Sequence, residues 1–419
     1  MNPASAQNAL LLVGGGARAA YQAGVLRSLA RAFPKVRFPI LNGISAGAIN
    51  AALLANTSDE FLRTTERLVA LWENLTLDQV FRTQFRTLGA TVLKWAVRMA
   101  AGGGSSLPAV REMVDTSPLR DFLLRALDTK DGVLRGIEAN LASGRLSAVG
   151  FTTSKYPSGQ STTWVQGRDV VPWQHHGRCG VSTALTVEHI MASSALPLVF
   201  PAVRLADGWH GDGGVRLTAP LSSSVYLGAD RIVAISTLRS PTPADTAAPF
   251  PDYPPTSTVL GMLIDSVFVD MLDTEAMAMR QLNQLGAGNP RGNENHRPVD
   301  VIVIRPSEDL GTLAREFESD LPRALRQVFQ ALGSHRSDRS NIIATLLFQP
   351  RYLRRVLEIG ERDGMRRRDE LAAFLGFDGA PSSEVPPPIV QLNGTNRHRA
   401  EGTLTRDSLF PQRSTGTEG

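Results

Sequence analysis

The sequence predicts an α/β protein built on a mostly parallel central sheet, and three observations carry that prediction. Residues 9–13 form a short, wholly apolar run that ends in three glycines, as a buried parallel strand does. Residues 17–32 follow with helical spacing, placing Tyr21, Val25 and Leu29 on one face. A second strand-like run at 38–42 leads into an Ala- and Leu-rich helix at 45–54. This strand–helix–strand–helix order is that of right-handed βαβ crossovers.

The remaining elements follow in chain order. Residues 59–144 read as mostly helical, and Thr116-Ser117-Pro118 marks a helix start by its proline. Residues 146–152 and 161–166 read as a strand pair joined through Tyr156-Pro157-Ser158-Gly159. A helix is expected at 187–195, stopped by Pro197, then a short strand at 203–205 and a helix near 218–227. Residues 231–237 and 299–305 are apolar, β-branched strand candidates. Residues 240–255 and 286–297 carry loop composition, whereas 259–285 and 313–368 read as helical. From 379 onward Pro, Ser, Gly, Thr and Asn dominate, which predicts a disordered tail.

Bulk composition narrows the function. The 44 basic and 40 acidic residues give a formal charge of +4. That surplus favours an anionic membrane surface over a neutral one but does not suggest nucleic acid. The one cysteine, Cys179, excludes an internal disulfide and fits a reducing compartment. No apolar run is long enough to span a bilayer, and the N-terminus lacks the basic region of a signal peptide. The expected location is therefore cytoplasmic, or peripheral on a membrane.

Two motifs carry chemistry. Gly43-Ile44-Ser45-Ala46-Gly47 matches Gly-x-Ser-x-Gly between a strand and a helix. In that setting the serine sits on a sharp, strained turn with its hydroxyl at a helix N-terminus, as a nucleophile requires. Gly14-Gly15-Gly16-Ala17-Arg18 opens the first helix. It fails as a dinucleotide fingerprint, because Ala19 stands where a glycine is needed and no acidic residue closes the second strand. It fits an oxyanion hole, with the Gly15 and Gly16 N–H groups as donors and Gly14 and Ala17 beside them. Arg18 is read as orienting the loop or attracting an anionic head group. No metal site and no cofactor are expected.

A serine nucleophile needs a base. The chain has seven histidines, and none sits in a recognisable catalytic context. His210 adjoins Gly211-Asp212-Gly213-Gly214, where Asp212 alone reads as a turn residue.

The glycine loop, the Ser45 elbow and Asp212-Gly213-Gly214, taken in that order, resemble the patatin-like phospholipase family, including its bacterial members. Ala192-Ser193-Ser194-Ala195-Leu196-Pro197 and Phe200-Pro201 match further. The resemblance covers roughly residues 9–237 and implies a three-layer α/β/α fold and a Ser–Asp dyad that uses no histidine. Carried over, it makes Ser45 the nucleophile and Asp212 the general base. Ala19 departs from the family's usual glycine. The implied plan is a catalytic domain over 9–237 with a helical insertion at about 59–144, a helical extension with one strand over 238–378, and the tail. The implied activity is hydrolysis of fatty acyl esters, as in a phospholipase A or lysophospholipase, on lipid at a membrane surface. The alternatives are a histidine-dependent α/β-hydrolase esterase, which would require His296 or His335, and a catalytically silent lipid-binding protein.

Phe81, Phe85, Leu88, Val92, Trp95 and Met99 form an apolar stripe beside Arg82, Arg86, Lys94 and Arg98. It reads either as an ordinary packed helix or as a face that docks on anionic lipid.

Overall fold

The computed structural model describes residues 6–82, 114–197, 199–215, 217–240, 271–287, 297–321, 326 and 341–377. These belong to one compact unit, Met1–Ala380; a second unit, Pro381–Gly419, falls wholly outside them. The tail expected to be disordered, the basic stripe beyond Arg82, most of the two expected loops, and His296, His335 and His398 likewise lie outside the described residues.

One ten-stranded sheet organises the described chain. Its parallel half comprises β1 (Asn8–Leu12), β2 (Ile40–Ile44), β3 (Ala148–Lys155), β9 (Arg231–Ile235) and β10 (Asp300–Ile304), ordered β10-β9-β1-β2-β3. These strands are almost fully buried, because helices cover both faces. Beyond β3 the sheet turns mixed. β4 (Gln160–Gly167) runs antiparallel to β3, β6 (Arg178–Ser182) runs parallel to β4, and β5 (Trp173–His175) closes the edge. β7 (Val203–Leu205) and β8 (Gly208–Asp212) form a hairpin, and β8 pairs antiparallel with the end of β3.

β2 starts and ends two residues later than the sequence suggests, and so runs directly into Ser45. Its pairing with β1 and β3 sets those limits, since residue 40 meets Ala9 and Ala148. The first helix begins with a 3-10 turn at Gly16–Ala19 and becomes α1 only over Ala20–Ala32. The helix expected near 218–227 is the short segment Ser222–Tyr226. Strands β5, β6 and β8 are not foreseen from sequence.

Helix α2 (Ala46–Asn56) leaves the sheet at the elbow and is followed by α3 (Phe61–Glu73) and α4 (Leu77–Val80). Further along come α5 (Ser117–Ala126), α6 (Arg135–Ala142), α7 (Val187–Ser193) and α8 (Ser222–Tyr226). After β9 stand α9 (Leu272–Ala287), α10 (Leu310–Arg315), α11 (Asn341–Leu346), α12 (Pro350–Arg366) and α13 (Arg368–Leu375). The fold is thus a parallel-centred sheet between helical layers, with helices continuing after β10.

A buried polar chain ties the first helices to the sheet. Gln22 Nε2 donates to the carbonyls of Val13 (2.6 Å) and Ile235 (3.1 Å). Asn50 Nδ2 donates to Gln22 Oε1 (2.9 Å), and Trp72 Nε1 donates to Asn50 Oδ1 (2.8 Å). α12 lies directly on α1: a side-chain carbon at Gly360 would sit 2.2 Å from the Tyr21 carbonyl oxygen. Tyr21 Oη donates to Asp363 Oδ2 (3.2 Å), and Glu361 bridges Arg27 and Arg31. Among the described residues no helix is long and apolar enough to cross a membrane.

Candidate active site

The register of β3 brings Ser45 and Asp212 together. β2 ends with Ile44 opposite Thr152, and β8 ends with Asp212 opposite Thr153. The last residue of one strand and the first residue after the other therefore meet on the same flank of β3. Ser45 Oγ donates to Asp212 Oδ2 at 2.6 Å.

The elbow is strained. Ser45 has φ 55° and ψ −132°, a backbone conformation that costs a non-glycine residue on the order of 1–3 kcal/mol. Close packing holds it there. A side-chain carbon at Gly43 would lie 2.4 Å from Ala48 Cα, and one at Gly47 would lie 2.1 Å from the Leu12 carbonyl oxygen. Ser193 adds a brace that sequence reasoning did not single out. Its Oγ accepts the Ser45 N–H (2.9 Å) and donates to the Thr152 carbonyl (2.6 Å). The only local signal was the run of small residues at 192–195, which leaves room beneath the elbow.

Asp212 is 1% exposed. Burial pushes its carboxyl up to about 7, against the pull of the Ser45 hydroxyl and the Gly214 N–H. Gly214 N donates to Asp212 Oδ1 at 2.7 Å, which leaves Oδ2 for the serine. The Asp212 backbone N–H donates to the Ala195 carbonyl (2.9 Å), and the Gly213 N–H donates to the Ser193 carbonyl (3.1 Å).

The glycine loop passes over the serine. A side-chain carbon at Gly14 would be 2.8 Å from Ser45 Cβ. Thr237 Oγ1 donates to the Gly14 carbonyl (2.6 Å), and Arg18 Nε donates to the Gly15 carbonyl (3.3 Å). Arg18 is 1% exposed, so its contact is with the loop and not with solvent. Ala17 is fully buried behind the loop.

Ser45, Asp212 and Gly16 line one apolar cavity. Ser45, Ala46, Ile49 and Leu53 follow one face of α2 along it, a rise of about 12 Å. Trp72, Leu119, Leu123 and Phe200 stand on other walls. Ser194 lines it as well, and its buried Oγ has no hydrogen-bond partner among the described residues.

His210 is engaged elsewhere. Its Nδ1 meets Thr153 Oγ1 (2.9 Å) and its Nε2 meets Asp207 Oδ1 (2.8 Å), while Trp164 Nε1 donates to Thr153 Oγ1 (2.9 Å). His189 caps its own helix through Thr186, and burial together with nearby His210 lowers its pKa to about 4.

A strained Gly-x-Ser-x-Gly serine, a buried carboxyl on its hydroxyl and an apolar cavity beside both are features that suit hydrolysis of an acyl ester. Residues 10–224, just over half of the chain, match the family model for patatin-like phospholipase, and the chain belongs to that family of lipid acyl hydrolases. No curated protein matches it significantly. Among solved structures, it is similar to VipD from Legionella pneumophila at 13% identity and a TM-score of 0.37, over 87% of this chain and 67% of that one. It is also similar to human GIVD cytosolic phospholipase A2 in complex with methyl gamma-linolenyl fluorophosphonate, at 12% identity and a TM-score of 0.40. That second match covers 89% of this chain and 59% of the other.

Proposed function

We propose that the protein cleaves fatty acyl esters of phospholipids or lysophospholipids through a Ser45–Asp212 dyad. The observation that carries this reading is the 2.6 Å hydrogen bond from Ser45 Oγ to the buried Asp212 carboxylate at the wall of an apolar cavity. Asp212 takes the hydroxyl proton as Ser45 Oγ attacks the ester carbonyl. The carbonyl oxygen becomes an oxyanion beside Gly15 and Gly16, whose N–H groups lie at the head of α1. The tetrahedral intermediate collapses, the leaving alcohol takes the proton from Asp212, and the acyl group stays on Ser45. Water then attacks the acyl-enzyme with Asp212 again as base, releasing the fatty acid and restoring the serine. The acyl chain occupies the cavity along α2, and the glycerol side faces its mouth.

The test is fatty-acid release from phosphatidylcholine vesicles by wild type, Ser45→Ala, Asp212→Asn and each histidine→Gln. Ser45→Ala and Asp212→Asn should each lower kcat by about ten-thousand-fold or more, as nucleophile and base losses do in serine hydrolases. The histidine variants should retain turnover. Loss on changing one histidine to Gln, in a protein that stays folded, would replace the dyad with a histidine-dependent esterase. No release, together with no labelling by a fluorophosphonate, would leave a silent lipid-binding protein.

A further inference from the structure

We propose that residues 343–348, which lie more than a hundred residues beyond the family match, set the acyl-chain selectivity of this site. The inference rests on the acyl-hydrolase reading above.

Thr345, Leu346 and Phe348 line the same cavity as Ser45 and Asp212. The segment is not a loose cover. Ile343, Ala344, Thr345, Leu346, Leu347 and Phe348 are all buried. It also interlocks with the glycine loop. A side-chain carbon at Gly16 would fall 2.2 Å from the Thr345 carbonyl oxygen and 2.6 Å from Thr345 Cγ2. Gly16 has φ 57°, so both its conformation and its neighbour require glycine.

The segment is held from its C-terminal side. Phe348 and Gln349 donate backbone N–H groups to Leu346 and Leu347, and Pro350 then begins α12. α12 packs along α1, which itself continues from the 3-10 turn at Gly16. Within α12, Tyr352 Oη donates to the Leu310 carbonyl at 3.1 Å, joining that helix to α10. The glycine loop and the 343–348 segment thus form one wall of the cavity, with α1 and α12 packed together behind it. A wall so fixed does not yield to a longer or bulkier chain, and the side chains at 346 and 348 fix how much room that chain has.

The experiment compares kcat/KM for p-nitrophenyl butyrate, octanoate and palmitate in wild type, Leu346→Trp and Phe348→Ala. A short-chain fluorophosphonate labels Ser45 in parallel. Leu346→Trp should lower the palmitate-to-butyrate ratio by about tenfold or more, the scale set by hydrophobic pockets, and the short-chain label reports that Ser45 is still reachable in the folded variant. Phe348→Ala should raise the ratio. Should Leu346→Trp fail to fold, Leu346→Phe and Phe348→Leu apply the same test with smaller volume changes. Unchanged ratios in folded, labelled variants would overturn the assignment of the wall. A wild type that neither cleaves any of the three esters nor takes the label would instead remove the acyl-hydrolase reading, and this inference with it.

Discussion

At the residue scale, Asp212 carries two opposed demands. A base must be ionised, yet burial holds this carboxyl near 7, well above the ordinary value of 3.8. The rate of Ser45 labelling by a fluorophosphonate should therefore rise with pH and level off above about 7, as Asp212 loses its proton; a flat profile from pH 5 to 8 would assign the base elsewhere. The same shift acts on folding. Because the folded-state pKa is raised, the native protein binds the proton more tightly than the unfolded chain does. The resulting stabilisation is full below about 3.8 and is lost as pH rises through about 7. An ionised, buried Asp212 is then a standing cost on the order of a few kcal/mol. Asp212→Asn should raise Tm by several degrees at pH 8 and change it little at pH 4, while abolishing turnover. Equal shifts at the two pH values in thermal melts would argue against this account.

At the scale of elements, the contact between α1 and α12 is the tightest joint the helices make with the region behind the glycine loop. Gly360 lies so close to the Tyr21 carbonyl that any added carbon displaces one helix. Gly360→Val should lower the urea midpoint by an amount worth roughly 1–3 kcal/mol or more, as overpacking does. Since α1 carries the glycine loop at its head, the variant should also lose esterase activity in conditions where circular dichroism still reports a folded protein. Retention of both midpoint and activity would show that the joint is slack. The Arg31 pair with Glu361 is half-exposed on its arginine side and adds little to it, whereas the Arg27 pair is more sheltered.

For the whole molecule, what was legible in the sequence divides along the sheet. The parallel half could be read because strands buried on both faces are written as continuous apolar runs, as in Ala9-Leu10-Leu11-Leu12. The elbow was legible for the same local reason: strand, turn and helix lie within a dozen residues. The mixed half was legible only in part: β4 and β7 were expected, whereas β5, β6 and β8 were not. Gly208-Trp209-His210-Gly211-Asp212 holds two glycines and no apolar pattern, and becomes a strand only through pairing with β3. Ser193 was hidden because its partners lie 148 and 41 residues away. The wall at 345–348 was hidden for the same reason, since its contact with Gly16 joins positions more than 300 residues apart. Local chemistry leaves a local pattern, whereas long-range assembly of a site leaves none.

The meeting of β2 and β8 on one strand has a practical meaning for anyone who prepares this protein. Thr152 and Thr153 are the two adjacent rulings against which Ser45 and Asp212, the proposed nucleophile and base, are measured. A slip of one residue in the pairing of β8 with β3 would turn Asp212 to the opposite face of the sheet, away from Ser45, while leaving the buried central strands in place. Such molecules would pass as folded by spectroscopy and remain silent to substrate. The fraction of a preparation that accepts a stoichiometric serine label is therefore a count of chains whose sheet closed in register.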